Sequence, residues 1–444
     1  MTTALVVLIA AAAGAAVSSL VAILPGLHVY NILGALVLVL AGMQETGAMP
    51  PPEVGLPFVT GLIVGWSMLN TVPSVLLGAP DESAIFTVLP GQKYLMQGRG
   101  YEGAMMTAVG GLAGIFVVVL IVGPLAPRVL PLARAVFAPH VHWILWVLTT
   151  YILMSEWPKG GNLGPAGWRK FADAWGGLAA GLATFLLSGL LGFLLVYRSP
   201  ISTEAAFQNL LPAFAGLFAV PWCLFNVLSA VDPPAQHCPK DLEVDADVIL
   251  RSAAAGGLGG GFAAFFPVVT GGVGGLLAGH ATAQRDERVF IMSQGASKLV
   301  YYVGGFLLLF VPGLHVRRGG AAWMTQFFFT PLGRYEYFMI LAAIAISGAV
   351  SFLMMSPLTR ATIWLIGRWN YRYLSLVALA IVAATVFAVT GWTGVAVMLV
   401  AAGIGSLPVL FGSRRLNCLG ILLLPMACNM SGFGADVARV LGLL

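Results

Sequence analysis

Long apolar stretches separated by short polar segments run through the whole chain. A helix needs about 20 predominantly apolar residues to cross the roughly 30 Å hydrocarbon core of a bilayer. Stretches of about that length predict membrane-spanning helices at 55–79, 103–123, 139–155, 172–197, 205–230, 289–311, 336–356, 373–390, 393–411 and 416–433. The pattern therefore predicts an all-α polytopic integral membrane protein.

Two further apolar segments are interrupted by proline and glycine. Residues 4–43 break at Leu24–His28, and the Gly-rich residues 250–280 break around Pro267–Gly272. Proline removes a backbone donor, and glycine allows the backbone conformations that end a helix. Irregular backbone survives at membrane depth only where protein or a water-filled cavity surrounds it. We therefore expect two discontinuous helices or re-entrant hairpins.

A polar, acidic linker at 231–248 divides the chain almost in half. We expect an N-terminal membrane repeat at 1–230 and a C-terminal membrane repeat at 249–444. Each half contains one broken unit followed by about five spanning helices. Because five is an odd number, the second half enters the membrane from the side opposite to the first half. This arithmetic predicts an inverted-topology repeat. The bias of Lys and Arg places the linker inside and the N-terminus outside.

Composition supports the membrane assignment along the whole length. Of 444 residues, 59% are hydrophobic and 9% are Asp, Glu, Lys or Arg, with a net charge of +5, whereas soluble domains carry roughly 25% charged residues. This excludes a nucleic-acid binder, a disulfide scaffold, a coiled coil and a disordered chain. The four cysteines form no CxxC pair, which argues against disulfides and a thiolate metal site. The N-terminal run lacks a basic start, so we expect it to stay in the mature multi-pass protein of the plasma membrane.

A proline-interrupted polar segment from Asn70 to Ser83 carries the candidates for ion coupling. Carboxylates embedded in a membrane are costly and usually functional. If the carboxylate lies in a cavity, freed carbonyls and the hydroxyls of Thr71, Ser74 and Ser83 would suit Na⁺, whereas a protonatable Asp81 would suit H⁺. The alternative is a solvated turn at the inner surface. The candidate ion-coupling residues are Thr71, Asp81, Glu82 and Ser83.

The two breaks are the candidates for holding an anionic substrate. Helix N-termini at a break expose N–H groups and carry positive partial charge. For the Gly-rich stretch, close helix packing by small residues is the alternative. Lys298 lies inside an apolar run, and it either counters an anionic substrate or pairs with a carboxylate such as Asp81. The candidate substrate-binding residues are Pro25, Gly26, His28, Asn31, Ser74, Pro267, Thr270, Gly271, Gly272, Ser297 and Lys298.

A set of short motifs covers most of the chain: Leu24–His28, Gly78–Glu82, Leu89–Gly91, Gly98–Glu102, Leu407–Arg415 and Gly420–Pro425. This set resembles the large membrane subunit, of the TctA type, in the tripartite tricarboxylate transporter family, and it is closer to the archaeal-type branch. The resemblance implies a secondary carrier that moves carboxylates together with a small membrane subunit and an extracytoplasmic binding protein. A homodimer is also compatible with the sequence.

The sequence as a whole predicts a secondary transporter rather than an enzyme. We expect it to move a small organic anion by alternating access, coupled to Na⁺ or H⁺, with a site between the two breaks and no cofactor. A lipid-linked phosphate moved across the bilayer is an alternative, because its head group would also suit the breaks. A membrane-embedded enzyme is the alternative of a different class, and it would require Asp81, Glu82, His28 and Lys298 to converge in one cavity.

Overall fold

Helices make up most of the described chain. The computed structural model describes residues 2–25, 27–157, 167–202, 205, 208–229, 233–330 and 333–444, and it contains no β-strand within them. Over these ranges, eight helical runs are long and apolar enough to cross a membrane, or nine if the bent pair Arg415–Met430 and Gly434–Val440 forms one span. The predicted all-α, polytopic fold class is confirmed.

The helices follow one another with short connections. In chain order they are α1 Thr3–Ala22, α2 Val29–Glu45, α3 Pro52–Leu69, α4 Thr71–Leu76, α5 Ile85–Met96, α6 Gly100–Phe116, α7 Gly123–Phe137, α8 Val141–Met154, α9 Trp168–Tyr197, α10 Leu211–Phe214, α11 Val220–Ser229, α12 Ala246–Phe265, α13 Gly271–Ala281, α14 Glu287–Leu307, α15 Gly319–Gln326, α16 Arg334–Arg368, α17 Tyr371–Phe411, α18 Gly420–Met430 and α19 Gly434–Val440. Short π-helical segments follow α6 and α10, and 3₁₀ turns precede α8 and α18.

Two compact units are assembled from these helices, and each draws on both halves of the sequence. The first contains residues 1–134 and 226–381, and the second contains residues 135–225 and 382–444. Each predicted repeat therefore contributes residues to both units. The inverted relation between the repeats stays a prediction.

The predicted interruptions of the apolar segments are confirmed. The helix α1 ends at Ala22 before α2 begins at Val29, and α12 ends at Phe265 before α13 begins at Gly271. Val268, inside the second break, has a φ of 57°, which β-branched residues rarely adopt. A third non-helical stretch separates α4 from α5 and carries the two candidate carboxylates.

The first helix of each broken unit packs against the second helix after its break, inside the first compact unit. A Cβ added to Gly61 of α3 would lie 2.4 Å from the Ala11 carbonyl oxygen of α1. A Cβ added to Gly260 of α12 would lie 2.5 Å from the Ser297 carbonyl oxygen of α14. Small residues let helices approach this closely within a membrane protein. The same kind of packing therefore occurs once in each half of the sequence.

Two predicted spans are joined into one longer helical run. The predicted spans 103–123 and 139–155 lie in one helical run from Gly100 to Met154, which is 55 residues long. A straight helix of that length would extend for about 80 Å, more than one crossing requires. The predicted spans 373–390 and 393–411, by contrast, match two helical stretches within α17 that are separated by the non-helical Gly391, whose φ is 66°.

The second compact unit has polar contacts of its own. Glu156 Oε1 accepts hydrogen bonds from the Arg414 backbone N–H at 2.7 Å and from Asn417 Nδ2 at 3.0 Å. Arg415 donates to the Phe218 carbonyl oxygen, and its guanidinium lies 5.4 Å from the centre of the Trp222 ring. These contacts hold the segment before α18 against the end of α8 and the π-helical turn before α11.

Candidate functional site

The first break presents His28 to the protein interior. His28 is the N-cap of α2, where its Nδ1 accepts the Tyr30 backbone N–H at 3.2 Å. The Asn31 side chain completes the cap by accepting the His28 backbone N–H at 2.9 Å. Because Nδ1 is an acceptor, neutral His28 carries its proton on Nε2. The cap therefore fixes both the orientation and the tautomer of the ring.

The loop between α4 and α5 brings the two candidate carboxylates into the same region. Asp81 Oδ1 accepts the backbone N–H groups of Ser83 at 3.1 Å and Ala84 at 2.6 Å. Glu82 Oε1 lies 3.3 Å from His28 Nε2. The side chains of Asp81 and Glu82 are 7% and 5% exposed, so the alternative of a solvated turn does not fit these carboxylates.

The helix α14 supplies the cation of the site. The Lys298 side chain is 1% exposed, and its Nζ lies 3.7 Å from Asp81 Oδ2. The ammonium also donates to Asn70 Oδ1 at 2.7 Å and lies 5.0 Å from the centre of the Trp66 ring. The ammonium is therefore paired with Asp81, and the other role considered for Lys298, that of countering an anionic substrate, stays a prediction.

Tyr302 connects the acidic residues to the histidine. It lies one helical turn after Lys298, and its hydroxyl is 2.9 Å from Glu82 Oε1 and 3.3 Å from Asp81 Oδ2. The same oxygen lies 3.1 Å from His28 Nε2 and accepts a hydrogen bond from the Ser83 hydroxyl at 3.1 Å. We refer to His28, Asp81, Glu82, Lys298 and Tyr302 as the charged network.

The first turn of α14 is fixed outside the apolar region. Asp286 caps this helix by accepting the Arg288 backbone N–H at 2.8 Å, and it also accepts the Arg288 guanidinium at 3.3 Å. Partial burial raises the pKa of Asp286, but the hydrogen bonds from Arg288 outweigh this effect and hold the pKa below its usual value. This cap sets the start of the helix that carries Lys298 and Tyr302.

One oxygen of the charged network lacks a partner. Glu82 Oε2 is buried and has no hydrogen-bond partner among the described atoms. The ligand atoms of His28, Asp81 and Glu82 lie within 4.8 Å of one another, a separation that would let them share one cation. The network contains two carboxylates against one ammonium, so neutral His28 leaves it one positive charge short. The arrangement can therefore take up one proton or one monovalent cation.

The second break contacts the loop that carries the carboxylates. A Cβ added to Gly272 would lie 2.8 Å from the Ser83 carbonyl oxygen. Ser297 donates to the Gly271 carbonyl oxygen at 2.6 Å, and Thr270 caps α13 by accepting the Val273 backbone N–H at 3.4 Å. These candidate residues position the break against α14 and the acidic loop.

Other candidates have local roles. The hydroxyl of Thr71 donates to the Met68 carbonyl oxygen at 2.6 Å, and that of Ser74 donates to the Asn70 carbonyl oxygen at 2.9 Å. Such bonds to the preceding turn are common for Ser and Thr in helices. Pro25 is buried and Pro267 half-buried, each within its break, whereas Gly26 lies outside the described residues.

The glycines that follow the second break show the packing alternative. A Cβ added to Gly274 would lie 2.1 Å from the Gly259 carbonyl oxygen of α12, and one added to Gly275 would lie 2.8 Å from the Gln294 side chain of α14. At these positions the missing side chains permit close helix packing.

Three residues of the site were not predicted from the sequence: Trp66, Asn70 and Tyr302. Trp66 donates from its indole to the Leu27 carbonyl oxygen of the first break at 2.8 Å, and its ring centre lies 4.7 Å from that of His28. Tyr302 could have been found, because residues four apart on a helix share a face and Lys298 precedes it by four.

The fold and the charged network define the class of protein. A multi-pass helical membrane protein with titratable groups buried in an interrupted segment is typical of transporters. The chain belongs to the tripartite tricarboxylate transporter TctA family, whose model matches residues 8–420. It is 26% identical over 356 residues to an uncharacterized protein of Methanocaldococcus jannaschii, a match that covers 79% of this chain and 80% of that protein. No solved structure matches the chain.

Family membership confirms the predicted resemblance. The chain is a multi-pass membrane component of a transporter family, as its motifs indicated.

Proposed function

We propose that the protein is a secondary active transporter that moves a small organic anion, a carboxylate, and couples this movement to a cation through the charged network. The observation that carries the proposal is the buried pair of Lys298 and Asp81, 3.7 Å apart, with Glu82 and His28 beside it. Buried ion pairs are costly to desolvate and are weak contributors to stability. A role in coupling therefore explains their presence better than a role in folding.

We propose H⁺ as the coupling ion. Lys298 already occupies one side of Asp81, and its charge opposes the entry of a second cation. The hydroxyls of Thr71 and Ser74, which would have helped to bind Na⁺, are directed to carbonyl oxygens of the preceding turn. Glu82 Oε2, the unpartnered oxygen, is the atom on which the transported proton would reside.

Alternating access is proposed to use the two halves of the sequence as inverted repeats. Each half contributes a broken helix, and the first helix of each broken unit packs in the same manner on the second helix after the break. The charged network takes His28, Asp81 and Glu82 from the first half and Lys298 and Tyr302 from the second. A rearrangement of one half against the other would therefore alter the pairing of the carboxylates.

The proposed setting is the plasma membrane. By its family, the chain is proposed to act with a small membrane subunit and an extracytoplasmic binding protein that delivers the anion. A homodimer and a lipid-linked phosphate substrate are proposals of lower rank, because no contact within the described residues favours them.

The enzyme alternative required four titratable groups to converge. Asp81, Glu82, His28 and Lys298 do converge, so this geometry does not dismiss it. Membership of a transporter family supports transport instead.

Reconstitution into vesicles tests the proposed function. Radiolabelled acetate, succinate and citrate would be offered to proteoliposomes under an inward H⁺ gradient, an inward Na⁺ gradient or no gradient. We expect accumulation of at least one carboxylate driven by the H⁺ gradient. Accumulation driven only by the Na⁺ gradient would show that the coupling ion is Na⁺ rather than H⁺. Conversion of a carboxylate to another compound, without accumulation of any carboxylate, would favour the enzyme. Protein-free vesicles and the exposed variant Asp241→Asn serve as controls.

A further inference from the structure

A row of polar side chains continues from the charged network along α14. Gln294 precedes Lys298 by four residues and Lys298 precedes Tyr302 by four, so the three side chains share one face of the helix. The row extends into the turn before the helix, where the Ser293 hydroxyl donates to Gln284 Oε1 at 3.2 Å. Polar side chains therefore lead from the network toward the end at which α14 begins.

The helix α13 faces this row with glycines. Three of them are spaced by four residues and share one face of α13: Gly271, Gly275 and Gly279. A Cβ added to Gly271 would lie 2.8 Å from Lys298 Cα, and one added to Gly275 would lie 2.8 Å from both Nε2 and Oε1 of Gln294. A Cβ added to Gly279 would lie 3.2 Å from Gln284 Oε1. We refer to the contact of this glycine face with Gln284, Gln294 and Lys298 as the α13–α14 interface.

Amide groups buried in the α13–α14 interface have unmet hydrogen bonds. Gln294 is 0% exposed, and neither its Nε2 nor its Oε1 has a hydrogen-bond partner within the described ranges of the chain. The Nε2 of Gln284 is also buried without a partner there. Such groups are rare in native proteins, because each one loses its hydration without compensation. Separation of the two helices would let water restore these hydrogen bonds.

The far end of the α13–α14 interface reaches charges in contact with solvent. Glu287, in the first turn of α14, pairs with Lys93 of α5 at 2.6 Å, with side chains 38% and 57% exposed. Asp286 and Arg288 form a second exposed pair at 3.3 Å. The interface therefore extends from carboxylates at an aqueous surface to the buried carboxylates of the charged network.

We propose that the α13–α14 interface is the pathway by which the transported proton passes between the charged network and the aqueous surface at which α14 begins. The inference depends on the proposed H⁺ coupling. Gln294 is a positioning residue in this pathway, because its amide offers an acceptor and two donors to water without a charge that would hold the proton.

The amides themselves take up no proton. When α13 and α14 separate, water enters the interface and bonds to Gln294 and Gln284. The proton moves from one water molecule to the next as one O–H bond forms and another breaks, until it reaches a carboxylate of the charged network. The network thus gains the proton that the aqueous side loses.

Cysteine labelling tests the pathway without reference to transport. Gln294→Cys would be compared with Met292→Cys in a background in which the four native cysteines are replaced. Met292 is equally buried on α14 but belongs to an apolar cluster with Met106 of α6. The exposed variant Arg285→Cys reports the side of the membrane at which α14 begins. The probe is a small, membrane-impermeant methanethiosulfonate reagent, applied to intact and to permeabilised cells.

The pathway predicts both the side and the rate of labelling. Gln294→Cys should react from the same side as Arg285→Cys and about tenfold faster than Met292→Cys, because unmet hydrogen bonds favour opening of the α13–α14 interface. No reaction at Gln294→Cys, equal rates at the two buried positions, or reaction from the opposite side would each overturn the proposal. Melting temperatures must show that the cysteine variants are folded.

A leucine substitution decides the question even if Gln294→Cys does not fold. Gln294→Leu keeps most of the volume and removes the unmet hydrogen bonds, so this variant should melt no lower than the wild type. We expect its H⁺-driven carboxylate uptake to be about tenfold slower, equivalent to a barrier higher by about 1.4 kcal/mol. Met292→Leu should change neither quantity. Uptake by folded Gln294→Leu at the wild-type rate would contradict the pathway.

Two further results distinguish this inference from the proposed function. Asp81→Asn should lose coupled uptake and keep the labelling of Gln294→Cys, because it leaves the α13–α14 interface unchanged. Absence of H⁺-driven uptake in the wild type would overturn the proposed coupling, and the pathway with it, whatever the labelling shows. Failure of the labelling prediction beside normal H⁺-driven uptake would overturn the pathway alone.

Discussion

The ammonium of Lys298 lies 3.7 Å from Asp81 Oδ2, which joins a helix of the second half of the chain to an interrupted segment of the first. Asn70 and Trp66 contact the same ammonium from α3 and its end. The pair is therefore enclosed by protein on several sides. The strength of this ion pair depends on the positions of the two sequence halves relative to each other. Residues that couple cation movement to substrate movement need this dependence.

Asp81→Asn should abolish coupled uptake and leave the protein folded. The amide keeps an oxygen to accept the backbone N–H groups of Ser83 and Ala84, which Asp81 Oδ1 now accepts. It removes the charge that pairs with Lys298. Uptake in proteoliposomes and the melting temperature in detergent are the measurements. Wild-type uptake with wild-type ion dependence would show that Asp81 has no part in coupling.

Lys298→Met should destabilise the fold. Removing one member of a buried pair leaves the other charge uncompensated, at a cost of about 3–5 kcal/mol. Lys93→Met is the matched control, because Lys93 pairs with Glu287 while 57% exposed, and exposed pairs contribute about 0–1 kcal/mol. Melting temperatures should fall for Lys298→Met only.

The double variant checks the cause of that loss. Combining Lys298→Met with Asp81→Asn should recover part of the stability, because the uncompensated carboxylate is gone. If the double variant is as unstable as Lys298→Met alone, the lost stability comes from packing rather than from the pair.

The two roles of His28 can be separated by two substitutions. His28→Asn keeps a side-chain oxygen that can accept the Tyr30 N–H and so cap α2, whereas His28→Ala loses the cap at about 1 kcal/mol. Both remove the Nε2 contact with Glu82. We expect both variants to lose coupled uptake, and only His28→Ala to melt at a lower temperature. Normal uptake by His28→Asn would reduce His28 to a helix cap.

Orientation in the membrane tests the inverted repeat. Thr46→Cys should react with an impermeant thiol reagent on intact cells, and Glu243→Cys should react only after permeabilisation, with the native cysteines removed. Both positions are exposed. Labelling of both from one side would show that a membrane crossing has been miscounted, and the inverted repeat would lose its support.

The breaks could be predicted because proline and glycine act locally. Pro25 and Pro267 lie inside the interruptions of otherwise apolar runs, and the helices before them do end at Ala22 and Phe265. The joining of the predicted spans 103–123 and 139–155 into one helical run could not be predicted, since a polar turn and a helical kink look alike in sequence. The interruption at Gly391 agrees with the prediction, because it separates the predicted spans 373–390 and 393–411.

Charged residues of the site were visible in the sequence, and their uncharged partners were not. Asp81 and Lys298 stand out because charges are rare in apolar runs. Tyr302 does not stand out by residue type, because aromatic residues are common in membrane helices, and its spacing of four from Lys298 is the signal that could have found it.

Simultaneous recording of proton and carboxylate movement tests the central claim most directly. Proteoliposomes would carry a pH-sensitive dye inside, and the radiolabelled carboxylate that they accumulate would be measured in the same vesicles. The account predicts that substrate addition acidifies the interior in fixed proportion to uptake for the wild type, and that Asp81→Asn gives no acidification. Substrate uptake without proton entry in the wild type, or proton entry unchanged in Asp81→Asn, would contradict coupling through the charged network.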